Sequence, residues 1–162
     1  MYIMEDKMKV LILYYSKSGH TLEAANATAE GIKSSGSEVE VVTIDDFQVS
    51  TLSDYDGVIA GSPCWAGSIT SAGIARPIKK VLKALPNDSL KGKRCGGISV
   101  HSKIGGENTV AALGKLSFQK GCEEFISGPA AKAGSGMSLR KGTSVSADDE
   151  ERFNAFGKEF VA

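Results

Sequence analysis

Val10-Leu11-Ile12-Leu13-Tyr14-Tyr15-Ser16-Lys17-Ser18-Gly19-His20-Thr21 is the stretch that decides the fold. Its first six residues are a continuous apolar run, the pattern of a central strand buried on both faces. A short polar loop follows. Leu22, Ala25, Ala29 and Ile32 then recur on one helical stripe that ends near Gly36. The same order repeats along the chain. Val39, Val41, Val42 and Ile44 predict a second strand, Gly57–Gly61 a third and Arg94–Val100 a fourth. Ile74, Ile78, Val81, Leu82 and Leu85 share a helical face, and Pro77 sets the start of that helix, because proline suits a first turn. A helix over Glu107–Lys120 and a short fifth strand at Phe125-Ile126 follow. Residues 128–145, rich in Gly, Ser and Ala, predict a long loop. Ser146-Ala147-Asp148-Asp149 resembles a capping box opening a last helix that buries Phe153, Phe156 and Phe160. Strands alternating with helices imply an α/β fold: a doubly wound, five-stranded parallel sheet with helices on both faces.

The composition agrees with one soluble domain. The chain has 162 residues, with 41% hydrophobic and 23% charged. Glycine stands out: 19 residues, roughly 12% against a usual ~7%. Lys+Arg and Asp+Glu are both 19, so the formal net charge is zero. Nothing in that balance favours nucleic acid. No apolar run is long enough to insert in a membrane, and residues 1–7 carry no signal-peptide pattern. These seven residues read as a flexible tail before a domain over 8–162, and Met8 is an alternative start. Cys64, Cys95 and Cys122 form no CxxC or metal spacing, which fits a reducing cytoplasm.

Open α/β sheets bind ligands beyond the carboxyl ends of their strands, where the strand order reverses. Three loops should meet there: Ser16–Thr21, Ser62–Ser68 and His101–Gly106. The first has three hydroxyls and a glycine and opens into a helix, a combination suited to an anion such as a phosphomonoester. It lacks the GxxxxGK[ST] spacing of a P-loop, and GxGxxG is absent after the first strand.

Ser16-Lys17-Ser18-Gly19-His20-Thr21 resembles the [ST]-x-[ST]-G-x-[ST] phosphate loop of flavodoxins. Asp54-Tyr55-Asp56-Gly57-Val58-Ile59-Ala60-Gly61-Ser62-Pro63 resembles the run into that family's second flavin loop, and Trp65 falls where many members stack an aromatic ring. The likeness covers about Met8 to Val161. It implies FMN as cofactor, with Ser16, Lys17, Ser18, Gly19, His20 and Thr21 around the phosphate. It further implies that Ser62, Pro63, Cys64, Trp65, Ala66 and Gly67 line the ring, and that Val100, His101, Ser102, Lys103, Gly105 and Gly106 close over its other side.

Two features depart from electron-carrier flavodoxins, which are acidic and usually carry acidic and aromatic residues in the third loop. This chain is neutral, and its third loop holds His101 and Lys103 without a tyrosine. Gly105-Gly106 and Gly61-Ser62-Pro63 are similar instead to WrbA-like NAD(P)H:quinone reductases. Taken over the whole chain, the resemblance implies a carrier that passes electrons through FMN to a partner protein. The alternative is an oxidoreductase that uses NAD(P)H and a small-molecule acceptor. A third reading is a flavodoxin-like domain without redox cofactor; a receiver-type version would need acidic strand ends, whereas the first strand ends in Tyr14-Tyr15-Ser16. Homo-oligomerisation stays open.

Overall fold

The computed structural model describes residues 7–64, 73–102, 105–133 and 144–162. Strand β1 (Lys9–Tyr14) leads to helix α1 (His20–Ser34), β2 (Glu38–Thr43), a 3-10 turn at Val49–Asp54 and β3 (Gly57–Pro63). Then come α2 (Arg76–Ala84), β4 (Arg94–His101), α3 (Gly106–Gln119), β5 (Glu124–Lys132) and α4 (Ala147–Phe160). All neighbouring strands pair in parallel, in the order β2-β1-β3-β4-β5. This is the doubly wound sheet that the alternating pattern predicts.

The pleat of β1 sorts the core into two layers. Leu11 and Leu13 face a cluster with Val58, Ala60, Ile78, Leu82, Leu113 and Leu116, so α2 and α3 cover that side. Val10 and Ile12 face the other cluster, with Ala25, Ile32, Ile59, Ile98, Phe153 and Phe160 from α1, the sheet and α4. Period-2 alternation within an apolar run thus feeds both faces at once.

Helix starts follow local chemistry. Pro77 sits in the first turn of α2, where its missing N–H costs nothing. Ser146 caps α4, its Oγ accepting from the Asp149 N–H at 3.1 Å. The other half of a capping box is not formed by Asp149, whose carboxylate holds Arg152 at 2.7 Å instead.

The fifth strand corrects the sequence reading. β5 runs on through residues 128–132, which read as the start of a long loop. Gly97 pairs with Ser127 and Ser99 with Ala130, so β5 carries one extra residue opposite Ile98. Gly128-Pro129 fills that bulge. A proline lacks a ladder donor, but β5 is an edge strand, so the missing N–H is tolerated. Residues 134–143 of the expected loop and 1–6 of the expected tail lie outside the described residues.

Candidate functional site

In the sheet order, the chain leaves β1 outward to β2 and returns on its other side to β3. The strand order therefore reverses between β1 and β3, and the loops after β1, β3 and β4 open at the same edge.

The first loop is built around a helix start. Gly19 precedes α1 with φ 93 and ψ −7, a left-handed conformation that favours glycine. Its N–H donates to Ser16 Oγ at 2.9 Å, which folds the loop back on itself. No side chain caps α1, and the Glu23 N–H returns to Gly19 O at 3.0 Å. The N–H groups of the first turn therefore lack helical acceptors, as at any helix start, and the positive end of the helix dipole adds to them. Lys17 and Ser18 are exposed beside these donors, Ser16 is half-buried, and Thr21 is buried. Helix-start N–H groups next to hydroxyls fit a phosphomonoester.

His20 has a different setting from its neighbours in the loop. Its ring is buried, and Nδ1 lies 3.1 Å from Glu23 Oε1. A carboxylate only accepts, so the imidazole donates. The other carboxylate oxygen, Glu23 Oε2, accepts the Val145 N–H at 3.0 Å. Glu23 thus ties the phosphate-loop helix to the chain entering α4.

The second loop stands on Ser62. This residue is fully buried. Its Oγ accepts the Ala75 N–H at 3.0 Å and donates to Pro63 O at 2.8 Å. Ser99 Oγ donates to Ser62 O at 2.8 Å, and Cys64 bridges to Ile74 in antiparallel fashion. The two ends of the loop are therefore pinned together where β3 ends and α2 begins. Pro63 and Cys64 are half-buried at its mouth. Trp65, Ala66 and Gly67, expected against a ring, lie outside the described residues.

The third loop repeats the design of the first. Gly105 precedes α3 with φ 102, again left-handed, and no side chain caps the helix. A Cβ at Gly105 would stand 2.9 Å from Cys64 Sγ, so the second and third loops touch. Val100 belongs to the core, while His101 and Ser102 are half-buried. His101 packs against the start of α3: a Cβ at Gly106 would lie 3.2 Å from its Nδ1. That nitrogen is buried without a hydrogen-bond partner. Burial pushes the His101 pKa below the usual histidine value; Glu107 opposes this, Lys132 adds to it and Asp149 opposes it. The ring is therefore neutral at pH 7 and adds no positive charge to the third loop. Lys103 lies outside the described residues.

Sequence reasoning brought Ser16–Thr21, Pro63, Cys64, Gly105 and Gly106 to one edge. It missed Glu23 and Ser99. Glu23 reads as an ordinary first-turn acid, and its link to Val145 spans 122 positions. Ser99 sits inside an apolar strand, and its partner appears only when β3 and β4 are paired. Among the described residues, no group of three or more His, Cys, Asp or Glu could hold a metal, and no helix is long and apolar enough to cross a membrane.

Comparison with known proteins agrees with this architecture. The oxidised Flavodoxin 1 of Bacillus cereus superposes with a TM-score of 0.74 at 24% identity, covering 94% of this chain and 97% of that one. A flavodoxin from the domain Archaea gives 0.75 at 18% identity, covering 95% and 96%. At such identities these two show the fold alone. In sequence, a flavodoxin of Clostridium saccharobutylicum is 33% identical over 107 residues, 65% of this chain and 64% of that protein. An NAD(P)H dehydrogenase (quinone) of Rhizobium johnstonii is 35% identical over 83 residues, 39% of this chain and 42% of that protein. The matches thus span less than two thirds of either relative's length. The flavodoxin family model matches residues 12–156, nearly the whole of the sheet and its helices, and on that match the chain belongs to the flavodoxin family.

Proposed function

We propose that the chain carries electrons through one bound FMN. The observation that carries this reading is the start of α1: uncapped N–H groups behind a left-handed Gly19, flanked by Ser16, Ser18 and Thr21, at the reversal of strand order. When bound, FMN supplies one- and two-electron redox chemistry; the protein sets its access and potential. Ser18, the first-turn N–H groups and Thr21 hold the phosphate. Pro63, Cys64 and Trp65–Gly67 line one side of the ring, and the Ser62 anchor keeps that loop in place. Gly105 and Gly106 let the third loop close tightly, because a side chain at Gly105 would meet Cys64. Three free thiols, two of them buried, support a reducing compartment as its place of work.

A second reading has a specific observation behind it. The glycine pair that opens α3 and the partial match to an NAD(P)H dehydrogenase (quinone) favour an enzyme that oxidises NAD(P)H. Anaerobic mixing of the FMN-loaded protein with NADH and NADPH separates the two. A carrier keeps its flavin oxidised until a reductase is added. Bleaching of the flavin within seconds by either nucleotide alone would replace the carrier with the enzyme.

A further inference from the structure

The chain is neutral as a whole, yet its charge is divided by the sheet. Helix α2 carries Arg76, Lys79, Lys80 and Lys83 and no acidic residue. Glu107 and Lys115 of α3, on the same face, offset each other. Across the sheet the balance is reversed. Helix α4 has Asp148, Asp149, Glu150, Glu151 and Glu159 against Arg152 and Lys158, and α1 has Glu23 and Glu30 against Lys33. Helices α2 and α3 together therefore carry four positive charges in excess, and helices α1 and α4 four negative ones.

The positive charge is exposed and unpaired. Arg76, Lys79, Lys80 and Lys83 are all exposed, and none forms an ion pair with a carboxylate among the described residues. It is also next to the site. The Ala75 N–H is held by Ser62 Oγ, and Ile74 bridges Cys64, so Arg76 follows directly on the foot of the second loop. From there the other three cations run down a helix of about 13 Å. A single Debye length at physiological salt, about 8 Å, connects neighbouring charges on such a helix.

We propose that this α2 face is the docking surface for a redox protein with a carboxylate-rich surface around its own centre. This inference rests on the carrier reading. Complementary charge at an interface raises the encounter rate and fixes orientation more than it adds affinity. A carrier needs those properties, because it must meet a partner with its site rim inward and then leave. The partner is a protein rather than a nucleic acid, since four cations on one short helix, in a neutral chain, neutralise too few phosphates.

The test uses one acceptor in two charge states. The FMN-loaded protein is reduced anaerobically and mixed with native cytochrome c, which is basic, or with succinylated cytochrome c, which is acidic. In each case one electron leaves the reduced flavin and converts ferric haem to ferrous haem. The rate to the succinylated acceptor should fall as salt is raised. Lys79→Glu/Lys80→Glu/Lys83→Glu should lower that rate about tenfold or more at low salt, without lowering the rate to native cytochrome c. FMN affinity and circular dichroism of the triple variant serve as controls, and the Lys→Gln triple, with a smaller loss, replaces it if the charge reversal prevents folding. A variant that reduces the succinylated acceptor at the parent rate, or a parent rate indifferent to salt, would overturn the docking surface and leave the carrier reading standing. Salt-sensitive dimerisation of the parent, lost in the triple variant, would overturn it in favour of a second copy of this chain. A flavin-loaded protein that passes no electron to either acceptor at any salt would remove the carrier reading, and the docking surface with it.

Discussion

Ser62→Ala tests how the second loop is held. The Ser62 hydroxyl is fully buried and is the acceptor for the N–H of Ala75, itself fully buried. Truncation leaves that N–H without its partner, between two fully buried residues where little room is left for water. An orphaned buried donor costs roughly 1–3 kcal/mol, and full burial at both residues argues for the upper half of that range. The folded-to-unfolded ratio should then fall by a factor of roughly 30 or more. Urea unfolding of the flavin-free protein, followed by circular dichroism, measures this directly. Ser18→Ala is the contrast: an exposed loop hydroxyl whose loss should leave flavin-free stability within about 0.5 kcal/mol of the parent. If Ser62→Ala unfolds at the parent's urea midpoint, the serine is not the foot of the loop, and its role reverts to the flavin contact implied by the family resemblance.

Gly105→Ala should destabilise the flavin-free protein by about 1–2 kcal/mol for a Cβ in left-handed backbone, plus the contact with Cys64 Sγ; adding Cys64→Ala should relieve only that contact, and urea unfolding of Gly105→Ala, Cys64→Ala and the double variant separates the two parts. Ser146→Ala removes the side-chain cap of α4 and should cost about 1 kcal/mol, seen as a lower thermal midpoint; an unchanged midpoint would contradict the cap. His101 has a folded pKa below its unfolded one, so the unfolded chain binds the proton more readily. Stability should be full above about pH 6.5 and fall as pH drops through that value. His101→Gln should flatten this dependence, and an identical pH profile in both proteins would show that the imidazole is not held neutral.

The sequence was most legible where one pattern served one purpose. The run Val10–Tyr15 read as a two-sided strand, which the structure forms over Lys9–Tyr14, and Ser146 with Asp149 marked a helix start that the structure forms within a residue. It was least legible in β5, where Gly128-Pro129 reads as a breaker. An edge strand with a bulge accommodates both residues, but only pairing with β4 reveals the edge. The candidate site shows the same limit. The hydroxyl-rich loop was evident from type and spacing, because an anion site needs donors at a helix start. The His20 ring and Ser62, expected around the cofactor, also make inward contacts, on Glu23 and Ala75. Such burial and long-range partners are not written in local sequence.

The central claim is that the start of α1 binds the phosphate of FMN. Titration of the flavin-free protein with FMN and with riboflavin, which has no phosphate, tests it most directly through quenching of flavin fluorescence. The parent should bind one FMN per chain and prefer it strongly over riboflavin. Ser18→Ala should weaken FMN by roughly tenfold to a hundredfold, the loss of a hydrogen bond to a charged group of roughly 1.5–3 kcal/mol, and leave riboflavin unchanged. Equal affinity of the parent for the two flavins, or an FMN affinity indifferent to Ser18, would contradict the assignment of this loop to the phosphate.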